Sequence, residues 1–334
     1  MFKDLIKNKS DSIFNICIIG NSTLDIVHID NSIKKTFGGS ISFIIPWINI
    51  ILKGSVIDIY CSGPENCLSH IYVDESINIH IQEDKIHTTF ELIYTNQKRI
   101  VKIIKAPEKI KYDYFLLNKP KKDPDVIICC PVYNEISEDF VRNIQKLYPN
   151  AIIGLDAQGF VRTKDKNCYI IQNNWIPSES MLKSLIIISI SKDELSKKMF
   201  KTISEFKKNY QIITLGVKGS ILLSNHEFNN ESFLIPAFSI KNRLDINPTG
   251  AGDIFFAGTL IFYLLSKNIK KSMILGSLLA KIHLEEKPDY QKLADDDYKV
   301  NKMNQTFSKI PKEYYKIIKV INNRQTSNLL WKNR

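Results

Sequence analysis

The sequence predicts an α/β protein: one mostly parallel sheet covered by helices, with a small second sheet as a lid. Three observations predict it. Short apolar runs ending in Gly or a polar turn alternate with helix-length segments, the pattern of strands buried on both faces. Between residues 71 and 104 that order gives way to polar–apolar alternation with no helix between, the mark of a sheet with one wet face. Finally, Asn247-Pro248-Thr249-Gly250-Ala251-Gly252-Asp253 opens the run Ile254–Leu265, which is apolar nearly all round and so reads as a buried helix.

The first strand is Ile16-Cys17-Ile18-Ile19, closed by Gly20. Ligands of open α/β sheets gather beyond such carboxyl ends, which puts Asn21 and Asp25 at a site; a turn Asn and a solvated Asp are the plainer readings. Phe37-Gly38-Gly39-Ser40 precedes a helix over Ile41–Leu52, and Ser55–Ser62 is a second buried strand. Ile77, Ile79, Ile81, then Thr88–Tyr94 and Arg99–Ile104, alternate and are assigned to the lid, with an edge hairpin as the other reading. Strands are expected at 126–130, 151–155, 185–190 and 210–216, a helix at 138–147, and a turn back into 220–223. A helical stretch is expected near 313–321, with 322–334 loosely held.

Bulk properties narrow the function. The 334 residues, 44% hydrophobic, suffice for one large domain. The net charge of +11 is spread among interleaved acids, as on a solvated surface rather than a nucleic-acid footprint. Six cysteines without a Cys-x-x-Cys pair read as reduced thiols, and the histidines show no metal-ligand spacing. Residues 1–12 have no apolar signal core, and the longest apolar runs are too short to span a bilayer. The expectation is a soluble, cytoplasmic protein with no membrane or nucleic-acid partner. No Gly-x-Gly-x-x-Gly follows the first strand and no P-loop occurs.

The Gly250–Asp253 turn carries the chemistry. Two glycines let backbone N–H groups crowd one point at a helix N-terminus, where orphan donors and the dipole favour an anion. Asp253 stands at the same place. An anion hole beside a carboxylate suits phosphoryl transfer, the carboxylate taking the proton of an attacking hydroxyl. On these residues alone a capped strand-to-helix turn is an equal alternative. The helix dipole is expected to keep Asp253 ionised.

Thr249-Gly250-Ala251-Gly252-Asp253 before a buried helix, Gly38-Gly39, and Thr214-x-Gly216-x-x-Gly219 between them resemble, in this order, the ribokinase-like carbohydrate kinase (PfkB) family over roughly residues 16–285. The resemblance implies a three-layer α/β/α fold over residues 14–310, a β lid from about 28–38 and 71–105, and a C-terminal helix and tail over 311–334. It implies transfer of the γ-phosphate of ATP to an alcohol of a sugar, nucleoside or polyol. Asp253 would be the base and the amides of Gly250, Ala251 and Gly252 the anion hole. Asn21, Asp25, Gly38 and Gly39 would face the substrate. Ser191, Thr214, Gly216, Lys218, Gly219 and Thr249 would lie along the nucleotide, and Glu194 would organise Mg²⁺ through water.

The sequence departs from the family pattern in three places. Ser191 replaces the Asn of an Asn-x-x-Glu motif. Asn247 replaces an Asp that lies near a monovalent cation in several members, which leaves K⁺ activation open. Ser40-Ile41-Ser42-Phe43 lacks the Asn common after the glycine pair, which weighs against a ribose-type acceptor. Asp156-x-Gln158-Gly159-x-x-Arg162 is similar to a segment of the branch containing myo-inositol kinases, so Gln158 and Arg162 are candidate contacts to a polyol or its incoming phosphate. A surface loop is the other reading of Arg162. A nucleoside acceptor stacked on Phe90 and Tyr94, a non-catalytic nucleotide or sugar binder, and a homodimer through the lid also stay open.

Overall fold

The computed structural model describes residues 13–29, 32–71, 73–94, 99–223, 231–240, 248–286 and 318–332. Asn247 and residues 313–317 of the expected C-terminal helix lie outside these.

The chain begins with β1 (Asn15–Ile19) and passes into the lid strands β2 (Thr23–Ile29) and β3 (Ser32–Gly38). It returns through α1 (Ser40–Ile51), β4 (Val56–Gly63) and β5 (Ile77–Glu83), and completes the lid with β6 (Thr89–Tyr94) and β7 (Arg99–Lys105). Next come α2 (Tyr112–Leu117), β8 (Val126–Cys129), α3 (Glu138–Leu147), β9 (Ile152–Asp156), the single turn α4 (Gln158–Val161), and the hairpin β10 (Arg162–Lys164) and β11 (Ile170–Gln172). Then follow α5 (Glu179–Lys183), β12 (Ile187–Ser191), α6 (Lys197–Glu205), β13 (Tyr210–Thr214), β14 (Ser220–Leu222) and β15 (Ser232–Ile235). The helices α7 (Ala251–Ser266) and α8 (Ile269–Glu286), then β16 (Lys319–Ile321) and α9 (Asn323–Trp331), finish the described chain.

The large sheet has ten strands in the order β16-β15-β14-β13-β12-β9-β8-β1-β4-β5. It is parallel from β5 to β13, and the strands beyond β13 are antiparallel. Both faces are covered, as the apolar strands require. Along β1, Ile16 and Ile18 join the core under α1, α7 and α8, while Cys17 and Ile19 join the core under α2, α3, α5 and α6. This is a three-layer α/β/α arrangement. β1 is the point at which strand order reverses, from β4 and β5 on one side to β8 and β9 on the other. The crevice beyond the carboxyl ends of β1 and β8 is therefore the place where this architecture holds ligands. Gly20 lies in the angle between them: a Cβ there would sit 2.5 Å from the Cys130 carbonyl oxygen.

The lid is a four-stranded sheet, β3-β2-β6-β7. Its inner face buries Phe90, Leu92 and Ile103 against Val132 of the body. On the outer face Glu91 pairs with Lys102 (3.2 Å), and its Oε1 lies 2.9 Å from His28 Nε2. Two readings of the sequence are corrected here. Ile77, Ile79 and Ile81 belong to β5, which pairs parallel with β4 at the edge of the large sheet, so the lid is built from 23–38 and 89–105. An edge strand is covered on one face only, and so alternates as a lid strand would. At the other edge, Lys319–Ile321 is a strand on β15, and α9 follows it with an Asn322–Gln325 capping box and a buried Leu330. These residues complete the body.

All six cysteines are free thiols, and five are buried. No helix among the described residues is long and apolar enough to cross a membrane.

The buried helix α7 is seated by close contact with the sheet. Leu260 is fully buried, and a Cβ on Gly154 of β9 would meet its Cδ1 at 2.3 Å. Gly154→Val is expected to destabilise the protein by about 1–3 kcal/mol through overpacking, read as a lowered urea midpoint with an unchanged m-value.

Candidate active site

The turn before α7 ends on Gly250, the helix N-cap, in the left-handed region at φ 86°. A Cβ there would also lie 2.7 Å from the Phe43 ring, so glycine is required twice over. No side chain caps this helix. The Ala251 N–H turns back to the Pro248 carbonyl at 3.3 Å. Helix geometry leaves the first-turn N–H groups of Gly252 and Asp253 without intrahelical acceptors. Gly252 is exposed, with nothing within 4 Å of its missing side chain. The amides expected to form the hole therefore differ in availability: that of Ala251 is partly committed, and that of Gly252 opens on space.

Asp253 occupies the first turn of α7 but does not cap it. Its Oδ1 accepts from Ser40 Oγ at 2.5 Å and from Gln158 Nε2 at 3.2 Å. Gln158 Nε2 also donates to Ser40 Oγ at 3.2 Å, closing a three-member ring of hydrogen bonds. Its members come from the first residue of α1, the turn after β9 and the start of α7, so three distant segments converge on one carboxylate. Burial pushes the Asp253 carboxyl above its ordinary value, against the Ser40 and Gln158 hydrogen bonds and the Arg162 charge, with Glu194 adding to the rise. The helix dipole is expected to keep this carboxyl ionised, and burial works against that.

Arg162 is half-buried at the start of β10, and not on a surface loop. Its Nε donates to Glu194 Oε1 at 2.9 Å, its Nη2 lies 2.8 Å from the same oxygen in an ion pair, and its Nη1 donates to the Val132 carbonyl at 3.1 Å. Its charge is felt by Asp25, Glu135, Asp156 and Asp253. Asp156, the last residue of β9, is pushed well up by burial and then by Asp253 and Glu194.

The residues expected on the acceptor side gather around Gly38. Asp25 is buried; its Oδ1 accepts from Thr23 at 2.7 Å, and its Oδ2 would lie 2.5 Å from a Cβ on Gly38. Gly39 adopts φ 83° as the N-cap of α1. Burial raises the Asp25 carboxyl to about 6, against Thr23, Arg99 and Arg162. Asn21 is engaged by the protein at both ends: Oδ1 accepts from the Ser62 N–H (2.8 Å) and Nδ2 donates to Thr88 (3.2 Å).

The residues expected along a nucleotide sit one and two strands beyond β9 along the same sheet edge. Ser191 and Thr214 are in register at the ends of β12 and β13. Ser191 Oγ accepts from the Asp193 N–H at 3.3 Å. Gly216 and Gly219 have φ 58° and 100°, Lys218 is exposed, and a Cβ on Gly219 would meet the Ile235 carbonyl at 2.1 Å. Thr249 is held from behind. The Trp47 indole, which can only donate, points at His283 Nδ1 (3.3 Å), so the neutral ring carries its hydrogen on Nε2 and gives it to the Thr249 carbonyl (3.3 Å). Burial keeps the His283 pKa low and the ring neutral.

Sequence reasoning missed Ser40 and His283. Ser40 was signalled only by following the glycine pair directly; nothing local marks His283.

Residues 176–294 match the model of the pfkB family carbohydrate kinases. Over that segment, about a third of the chain, the sequence is similar to this family. The matched segment holds Ser191, Glu194, the Thr214–Gly219 turn and the Gly250–Asp253 turn; the earlier residues are placed by fold. Among solved structures, a pyrophosphate-dependent kinase of the ribokinase family, complexed with a pyrophosphate analog and myo-inositol, matches with TM-score 0.65 and 18% identity over 81% of this chain and 95% of that one. Thermotoga maritima ribokinase matches with TM-score 0.60 and 16% identity over 88% and 100%. A Methanocaldococcus jannaschii nucleoside kinase of the ribokinase family matches with TM-score 0.58 and 15% identity over 87% and 99%. These likenesses show the fold: this is a ribokinase-like α/β/α protein with a lid. No curated protein matches the sequence significantly.

The raised Asp25 carboxyl makes a stability prediction. The folded chain binds that proton more tightly than the unfolded chain, so ionisation costs stability as pH rises from the ordinary value toward about 6. Asp25→Asn removes this cost. Its urea stability should match the parent below about pH 4 and exceed it by up to about 3 kcal/mol at neutral pH.

Proposed function

We propose that the protein is an ATP-dependent kinase that phosphorylates a hydroxyl of a sugar or polyol, with a myo-inositol-like ring as the favoured acceptor. One observation carries the reading: a carboxylate on the first turn of a buried helix, beside outward amides, held by side chains from two distant segments at the strand-order reversal. A cap would have turned Asp253 onto its own backbone.

In this reading the acceptor oxygen attacks the terminal phosphorus while its proton passes to Asp253, and the bond to the leaving diphosphate breaks. The raised pKa of Asp253 makes it a better proton acceptor than a solvated carboxylate. Ser40 and Gln158 fix the oxygen that faces the protein and so aim the other. The amides of Gly250, Ala251 and Gly252 lie where phosphoryl charge would collect. Gly38 and Gly39 let the acceptor approach main chain, and Asn21 braces that wall. Thr214, Gly216, Lys218, Gly219, Ser191 and Thr249 are the proposed donor side.

The oxygen donors present suit a hard cation, because Asp156, Glu194 and Asp253 act on one another electrostatically. Among the described residues no group of three such ligands could hold it directly. Glu194 and Asp156 would then hold Mg²⁺ through water, where it would neutralise donor phosphate charge. The exposed edge strand β3 is the proposed lid contact of a homodimer.

Two observations weigh against the rival readings. Phe90 is buried in the lid core, edge-on to Tyr133, and so is not free to stack on a nucleobase. A mere binder would not need the Ser40–Asp253–Gln158 ring.

Asp253→Asn should lower kcat by about 10²–10⁴-fold while acceptor binding persists, measured as ATP or pyrophosphate consumption against polyols, sugars and nucleosides. Full turnover by this variant would sink the assignment. Ser40→Ala removes a hydrogen bond that favours the ionised carboxylate. The acid limb of kcat/KM should move to higher pH, with a loss at neutral pH of about one to two orders of magnitude.

A further inference from the structure

The proposed anion hole depends on a peptide that its own glycine leaves free to turn. Pro248–Ala251 is a tight turn closed from the Ala251 N–H to the Pro248 carbonyl, with Gly250 third in it at φ 86° and ψ −16°. Those angles suit a type II turn, but the same closing bond also fits type I, and the two types differ by a flip of the central peptide. Glycine accepts both. The turn alone therefore does not fix which way the Thr249–Gly250 peptide faces. That peptide is trans, so its carbonyl and its N–H point in opposite directions. Whatever holds the Thr249 carbonyl also aims the Gly250 amide.

His283 holds it. The residue is buried near the end of α8, and α8 lies close on α7: a Cβ on Gly276 would sit 2.5 Å from Thr259 Oγ1 and 2.7 Å from the Phe255 carbonyl oxygen. The imidazole packs edge-on against Phe43 and Trp47 of α1, with centroids 5.8 and 6.3 Å away. Its Nε2 is 3.3 Å from the Thr249 carbonyl oxygen and 3.0 Å from where a Gly250 Cβ would stand. The Trp47 indole donates to Nδ1 at 3.3 Å, so the one hydrogen of the neutral ring is on Nε2. Three rings thus fill the side of the turn that the carbonyl faces, and the Gly250 N–H is turned away from them.

We infer that His283 is a positioning residue: its Nε2–H holds the Thr249 carbonyl and so keeps the Gly250 amide turned toward the incoming phosphoryl group. This rests on the kinase reading above and deepens it, for the ring itself touches neither acceptor nor donor. The direction of the relay is set from outside the turn. A donor on α1 assigns the hydrogen of a ring on α8, and that hydrogen is spent on the carbonyl whose partner amide belongs to the proposed hole.

The test joins steady-state kinetics to nitrogen NMR of the full chain labelled at histidine. His283 should be neutral with its hydrogen on Nε2; a hydrogen on Nδ1 overturns the proposal whatever the variants do. His283→Leu keeps the bulk and removes the donor. Its kcat should fall about ten- to a hundredfold, less than the loss of an oxyanion-hole donor outright, with acceptor KM within about twofold. His283→Gln offers a neutral N–H near the place of Nε2 and should recover kcat to within about fivefold of the parent. Where His283→Leu fails to fold, His283→Asn, whose amide reaches only the place of Nδ1, takes its part. A purely structural role would lower the urea midpoint of these variants and leave their kcat alike, so equal kcat in the folded variants overturns the proposal. Calorimetric binding of pyrophosphate keeps the two readings apart. A parent that binds it but phosphorylates no polyol, sugar or nucleoside refutes the kinase reading; the brace then stands if His283→Leu weakens that binding at least fivefold and His283→Gln does not, and falls otherwise. A parent that neither binds pyrophosphate nor turns over ends both.

Discussion

The hydrogen bond from Ser40 to Asp253 joins the starts of two helices that no local force brings together. Ser40 opens α1 where the lid strand β3 re-enters the body, and Asp253, 213 positions later, stands in the first turn of α7. Each helix opens on a glycine at positive φ, so the backbone presents N–H groups instead of a capping side chain. The charge that would normally complete one of those caps is withheld from its own backbone and given to the other helix. Gln158, from the turn after β9, locks the pair. Everything proposed for chemistry depends on this exchange.

The electrostatic setting follows from crowding at one edge of the sheet. Strands that end side by side bring Asp156, Glu194 and Asp253 into one another's field, and burial adds to their mutual repulsion. Arg162 is the counterweight. Its fork is spent on one oxygen of Glu194, but its charge reaches the other carboxylates. In the proposed reading, a site so loaded with carboxylates would receive hydroxyl donors and cations, and anionic phosphate would depend on the backbone dipole at the start of α7.

Much of this was legible in the sequence because it is local. The apolar runs named the strands of the parallel sheet, and the Gly250–Asp253 turn named the helix and its carboxylate. β5 was misplaced because an edge strand, half-covered, carries the alternation of a lid strand. The final helix was overlooked although Asn322 and Gln325 spell its capping box. The partners of Asp253 could not be read, because Ser40 and Gln158 meet it only through space. The Trp47–His283 brace was illegible for the same reason. Its meaning lies in which ring nitrogen carries hydrogen, and that is set by neighbours from other segments.

The uniformly apolar character of α7 bears on how the chain reaches this state. The helix docks against β8, β9 and β12, strands made long before it in sequence. Until that sheet exists the helix has nowhere to hide, and a long-range contact of this kind closes slowly. Assembly therefore passes through species with a greasy segment in water, prone to sticking to their own kind. The residue proposed for chemistry rides on that segment, so its crevice is among the last features of the molecule to form.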